Sequence, residues 1–132
     1  FLSHREIENI ILKIENQNNK KILITERGNS FGYNYLINDF KGIHFMKQFG
    51  YPIVFDSTHS VQLPGGMGIK SGGAREYVVP LSKSAASLRL AGFFIETHPN
   101  PEKALSDGPN MMHLHNMPKL LNSINKINKA AK

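Results

Sequence analysis

Three short runs constrain the fold of this chain more than anything else in it: "KKILITERG", "YPIVFDSTHS" and "AGFFIETHP". Each is apolar throughout, with no alternation of polar and apolar residues, and each ends in groups that carry chemistry. Those groups are Glu26 and Arg27, then Asp56 and His59, then Glu96 and His98. Alternation marks a strand with one wet face, whereas a continuous apolar run marks a strand covered on both. Helical periodicity separates the runs, so the pattern predicts an α/β fold with a parallel sheet whose polar strand ends share one rim.

The helical segments are read from spacing. Ser3 and Glu6 stand at capping-box distance before Ile7, Ile10, Ile11 and Ile14. Leu36, Ile37, Phe40, Phe45, Met46 and Phe49 predict a second helix, interrupted near Gly42 and ended by Gly50. A third is expected from Tyr77 to Leu90, with Pro80 in its first turn. In the last, Asn116 is the expected cap and Leu120, Leu121, Ile124 and Ile127 the buried face.

Residues 1–132 are expected to form one partial domain: a helix followed by three strand–helix units. Rims of this kind carry the chemistry in open doubly wound sheets and in (β/α)8 barrels. Three strands cannot close a barrel and would leave two hydrophobic edges unpaired, so part of the domain is expected to be missing. The first residue, Phe1, in place of a methionine, suggests a processed product or a fragment.

Composition removes several classes of function. With 40% hydrophobic and 20% charged residues over 132 positions, the chain is ordinary globular material. Its net charge of +6 comes from lysines spread along the chain and denser near the C-terminus. No nucleic-acid reading motif accompanies them, so no nucleic-acid partner is expected. The absence of cysteine fits a reducing compartment. No apolar run is long enough for a membrane and no signal pattern opens the chain, so a cytoplasmic protein with no membrane partner is expected.

The stretches "TERGNSFGYN", "FDSTHSVQLPGG", "SGGAR" and "FIETHPNPEKALSDGP", in this order, resemble the C-terminal half of 3-deoxy-D-manno-octulosonate 8-phosphate synthases. The similarity runs over essentially all 132 residues. It implies the C-terminal part of a (β/α)8 TIM barrel: the last three strand–helix units plus a preceding helix, with the N-terminal half outside this sequence. It also implies condensation of phosphoenolpyruvate with arabinose 5-phosphate, in lipopolysaccharide sugar synthesis, by a homotetramer. Two alternatives stay open. One is the related 3-deoxy-D-arabino-heptulosonate 7-phosphate synthase, which uses erythrose 4-phosphate; the other is a non-catalytic half-barrel that binds or assembles.

The resemblance also implies roles. Arg27 matches the arginine that clamps the phosphoenolpyruvate phosphate, a task suited to a planar guanidinium; a buried ion pair with Glu26 is the plainer alternative. His59, Glu96 and Asp107 match the residues that hold a divalent metal (iron, manganese, zinc or cadmium) together with an N-terminal cysteine. In a metal-independent class, asparagine replaces that cysteine and the three remain as polar site residues, His59 and Asp107 being catalytic in either. The deciding position lies outside the sequence.

The glycine-rich stretch from Ser57 to Arg75 matches the loop that covers substrate, with Ser71 and Arg75 as polar contacts, Gln62 as a positioning group and Asn29 as a further substrate-side residue. A slack connection is its plainer reading. A nucleotide cradle is disfavoured because "GIKSGG" lacks the required spacing and is followed by more glycine in place of a helix. His98 is expected to serve a nearby backbone or carboxylate group, and His113 and His115 to lie on the surface.

Overall fold

The computed structural model describes residues 2–30, 35–67 and 70–132, with the backbone alone at 65–67, 70 and 71. In chain order the elements are α1 (Ile7–Glu15), β1 (Ile24–Glu26), β2 (Asn29–Ser30), β3 (Leu36–Ile37), α2 (Phe40–Met46), β4 (Ile53–Asp56), β5 (Gln62–Met67), β6 (Lys70–Gly73), α3 (Val78–Ala86), β7 (Gly92–Phe94), β8 (Thr97–His98), β9 (Met112–His113) and α4 (Met117–Ala130). The chain is therefore mixed α/β with parallel strands.

Strands β1, β4 and β7 form one parallel sheet in chain order, with Ile24 opposite Ile53 and Phe55 opposite Phe93. A short two-stranded ladder follows each of them before the next helix: β2 with β3, β5 with β6, and β8 with β9. Consecutive parallel strands joined by crossovers of one hand carry their helices on one side. Ile24, Ile53 and Phe55 accordingly pack with Ile11 of α1, Ile43 and Met46 of α2, and Ala85 of α3. A second cluster, Val61, Val78, Ala86, Met112, Leu120 and Ile124, joins α3 to α4 behind the rim.

Cover on both faces of the sheet, expected from the unbroken apolar runs, is supplied among the described residues on the helix side. On the other face Thr25 is exposed and Phe94 is 47% exposed. The helix boundaries also differ from those spacing predicts. Leu36 and Ile37 pair with Ser30 and Asn29 as β3, because this segment returns to the rim before the helix begins. Gly42 does not interrupt α2: it is buried inside it, where a Cβ would stand 2.8 Å from Asp39 Oδ2. Gly50, at φ +78°, ends the segment as expected.

The third helix is shorter than predicted and is entered through a 3-10 turn at Arg75–Tyr77. Asn116 makes no side-chain cap; another 3-10 turn, Leu114–Asn116, leads into α4. Leu120 and Ile124 are buried as expected, whereas Leu121 is 46% exposed, turned off that face. At α1, Glu6 accepts hydrogen bonds from the N–H and Oγ of Ser3, both at 2.8 Å, which holds its carboxyl below the usual range. Among the described residues no helix is long and apolar enough to cross a membrane.

Phe55 is wholly buried, edge-on to Phe40 at 6.3 Å and to Phe93 at 6.2 Å. Phe55→Ala should remove about 3–5 kcal/mol of stability, read as a lower denaturant midpoint in urea unfolding.

Candidate active site

The rim of the sheet is built from β4 outward. Asp56 ends that strand and is 6% exposed. Its Oδ1 accepts the backbone N–H of His59 at 2.9 Å and the Thr58 hydroxyl at 3.3 Å, so the chain folds back over the carboxylate. Its Oδ2 lies 2.7 Å from His59 Nδ1. Toward a carboxylate, which accepts, Nδ1 is the donor of this pair, and in the neutral ring Nε2 is then the acceptor. Nε2 stands 3.8 Å from Glu96 Oε1, and the ring lies tilted at 5.7 Å from that of Phe94. Thr58, itself buried, accepts the Glu96 N–H at 3.2 Å and so ties the end of β7 to the same turn.

Asp107 arrives from the long connection between β8 and β9. It adopts φ +53°, a left-handed conformation uncommon for a residue with a side chain, and its carbonyl accepts the N–H groups of Asn110 at 2.9 Å and Met111 at 3.1 Å. Its Oδ1 accepts from Gln62 Nε2 at 2.8 Å, while Gln62 Oε1 accepts from the Arg27 guanidinium at 2.5 Å. A single amide therefore links the arginine after β1 to the carboxylate beside β9. One ligand atom each from His59, Glu96 and Asp107 lies within 4.8 Å of the others, all three residues being half-buried.

One imidazole and two carboxylates form a mixed nitrogen and oxygen donor set that suits a divalent cation. Glu96 Oε2 is buried and, among the described residues, has no hydrogen-bond partner. A cation would satisfy that oxygen, so these residues fit a metal.

Behind Arg27, the buried Glu26 carboxylate accepts the Gly28 N–H at 2.7 Å and Asn38 Nδ2 at 3.1 Å. Gly28 sits at φ +92°, the turn that makes this bond accessible and leaves Arg27 beside Gln62. Asn38 also donates to Ser60 Oγ at 3.0 Å, and Ser60 donates to the Asp56 carbonyl at 2.6 Å, joining the ends of β1 and β4. Burial pushes the Glu26 carboxyl above its usual range despite these two donors.

The structure thus brings together Arg27, His59, Gln62, Glu96 and Asp107. Asn29 is half-buried on β2 and lines, with Arg27 and Gly28, a cavity of about 370 Å³ whose other walls come from α1, α2 and the segments before them, and of this group Arg27 alone lines it. Arg75 is engaged elsewhere, by Glu102 at 3.0 Å, His113 Nε2 at 3.1 Å and the Gly108 carbonyl at 2.6 Å. That partner makes His113 a half-buried structural group and corrects its expected surface placement; His115 is exposed. His98 Nδ1 accepts the Asn100 N–H at 2.9 Å, as anticipated. The side chain of Ser71 lies outside those described. Within the glycine-rich stretch, Gln62–Met67 and Lys70–Gly73 pair as an antiparallel ladder, with Gln62 opposite Gly73 and Met67 opposite Lys70.

The sequence places Asp56 on the rim without assigning it a role, although its three-residue spacing to His59 in "DSTH" is a readable signal. Asn38 and Glu102 carried none, since their partners are 12 and 27 residues away.

Parallel strands that deliver an arginine, a histidine and two carboxylates to one rim, with helices behind, define an α/β protein whose polar groups gather at its strand ends. The sequence pattern of the DAHP synthetase I family matches residues 1–132, and the chain belongs to that family. It is 48% identical over 132 residues to the 2-dehydro-3-deoxyphosphooctonate aldolase of Geobacter metallireducens, covering all of this chain and 48% of that protein. The enzyme of the same name from Agrobacterium fabrum is 48% identical over 124 residues, 94% of this chain and 44% of the relative. That of Coxiella burnetii is 46% identical over 132 residues, all of this chain and 47% of the relative. The chain spans about half the length of the curated relatives it matches.

The Glu26 environment gives a pH prediction. Below the unfolded-state value near 4.5 both states hold the proton. As pH rises, the unfolded chain releases its proton first, so stability falls until the raised folded value is passed, and the cost persists at neutral pH. Glu26→Gln keeps the acceptor for Gly28 and Asn38 while removing the charge. Thermal melts should show a higher Tm than wild type at pH 7 and no difference at pH 4.

Proposed function

We propose that the complete protein condenses phosphoenolpyruvate with arabinose 5-phosphate, giving 3-deoxy-D-manno-octulosonate 8-phosphate and inorganic phosphate. Residues 1–132 supply the C-terminal half of its (β/α)8 barrel, and the active assembly is a homotetramer. The observation that carries this reading is the convergence of His59, Glu96 and Asp107 within 4.8 Å, coupled to Arg27 through Gln62. The relatives named as octonate aldolases favour it over the heptulosonate alternative.

In this reaction C3 of the enol forms a bond to the aldehyde carbon of the sugar, whose oxygen takes up a proton. Water then adds to C2 and gives up one proton; the bond from C2 to the phosphate oxygen breaks, the remaining hydroxyl proton is lost, and phosphate leaves as the C2 carbonyl forms. Arg27 holds the phosphate of phosphoenolpyruvate with two parallel hydrogen bonds, and its link to Gln62 aligns the fork before substrate arrives. Asp56 keeps His59 in the tautomer whose Nε2 faces the reacting carbons. His59 and Asp107 are the groups placed to hold and move protons there, with Gln62 setting the carboxylate's direction.

His59, Glu96 and Asp107 would also hold one divalent ion, which when bound supplies Lewis acidity toward a carbonyl or water oxygen. In a metal-independent enzyme the same three act as polar residues. By the resemblance, the glycine-rich segment covers the substrates and limits water, and Ser71 and Asn29 are substrate-binding residues.

In the complete enzyme, Arg27→Ala should raise the KM for phosphoenolpyruvate by roughly 10- to 100-fold, the worth of a charge-assisted hydrogen bond, with the melting profile unchanged. Unaltered steady-state kinetics would remove Arg27 from the phosphate site. His59→Ala should reduce kcat whether or not metal is present. A competition assay with both sugars should show preference for arabinose 5-phosphate; preference for erythrose 4-phosphate would replace the reaction proposed.

A further inference from the structure

We infer that Arg75 serves this reaction without touching substrate, as a positioning residue that fastens the Asp107 loop to the foot of the β5–β6 hairpin. The inference rests on the synthase reading above and changes the role that sequence resemblance implies for this arginine. Its NH1 faces Glu102 Oε1 at 3.0 Å and His113 Nε2 at 3.1 Å, and its NH2 donates to the Gly108 carbonyl at 2.6 Å. Nε is buried. The planar fork is thus committed to three points around Asp107: before it, directly after it, and on the strand that follows. A lysine, with one nitrogen on a flexible stem, cannot reproduce this arrangement.

Two further observations place the grip at the same point. Asp107 holds φ +53°, a backbone state that persists in a residue with a side chain only where its surroundings over-determine it. Gly73, at the end of β6, is pressed against Asn110, which is 1% exposed. A Cβ on residue 73 would lie 1.6 Å from Asn110 Oδ1, so no larger residue fits without displacing the loop. The hairpin therefore holds the Asp107 loop from both of its own ends. Gln62 at its start takes the Asp107 carboxylate, and Gly73 and Arg75 at its finish take the backbone and side chains just beyond. A displacement of the hairpin is passed to Asp107 through both attachments.

The test uses the complete enzyme and the variants Arg75→Ala and Arg75→Lys. Kinetics with both substrates are measured alongside hydrogen exchange of the Asn110 and Met111 amides, which donate to the Asp107 carbonyl. Arg75→Ala should lower kcat on the order of 10- to 100-fold, the usual cost of a misplaced catalytic group, while both KM values stay within about twofold. Both amides should exchange faster, added guanidinium should restore part of kcat, and Arg75→Lys should not. In an Asp107→Asn background, Arg75→Ala should cause little further loss, because the arginine acts through that carboxylate.

A raised KM for arabinose 5-phosphate with unchanged kcat, or full additivity with Asp107→Asn, would overturn the inference in favour of substrate contact. If Arg75→Ala does not fold, Arg75→Lys carries the same readouts, with the same losses expected. If the complete wild-type chain proves inactive, the synthase reading fails by itself. The exchange measurement then still decides the fastening, since unchanged protection at Asn110 and Met111 refutes it.

Discussion

The carboxylate of Asp56 is the interaction on which the rim depends. It stands at the end of the central strand, one residue beyond Phe55, whose ring anchors the sheet against the helices. A buried carboxylate must find donors or lose its charge. Here it takes the N–H and imidazole of His59 and the hydroxyl of Thr58, and those three bonds set the path of the chain as it leaves the sheet. Ser57 and Thr58 are wholly buried in that turn, Ser57 beside Ser82 of α3 and Thr58 against the N–H of Glu96. One buried charge thereby orients the histidine, docks a helix and aligns the neighbouring strand.

The remaining polar groups form two arms from this point. One runs through Ser60 and Asn38 to Glu26, which closes the turn beneath Arg27. The other runs from Arg27 through Gln62 to Asp107. Low local dielectric makes such networks costly when incomplete and rigid when satisfied. The unpartnered Glu96 Oε2, among the described residues, is where the network leaves room for a cationic ligand. The short ladders between each main strand and its helix bring Gln62 to Asp107, and Asn38 to Glu26 and Ser60.

Much of this was legible in the sequence, for identifiable reasons. Ile53 to Phe55 has no polar residue to face water, so a strand in a parallel sheet was the economical reading, and the polar residues after it had to emerge together. Gly50 was readable as the end of the second helical segment, and it carries the positive φ that such a stop uses. The reading failed where local spacing and long-range pairing compete. Leu36 and Ile37 continue a helical period, yet they are taken by Asn29 and Ser30 across a turn. Leu121 shares the period of Leu120 and Ile124 but not their partner, α3. Asn116 has the chemistry of a cap, and the 3-10 turn before α4 makes one unnecessary.

The amino-acid sequence by itself determined the α/β class, the order of strands and helices, and the residue types that reach the rim, because these follow from periodicity, turn chemistry and the cost of burying charge. Tertiary structure alone decided which of those residues meet. Gln62 joins Arg27 to Asp107 over separations of 35 and 45 residues, and Arg75 turns toward Glu102, Gly108 and His113 instead of toward His59. No local pattern encodes such pairings. They arise when the strands align and each buried donor and acceptor takes the partner that packing leaves within reach.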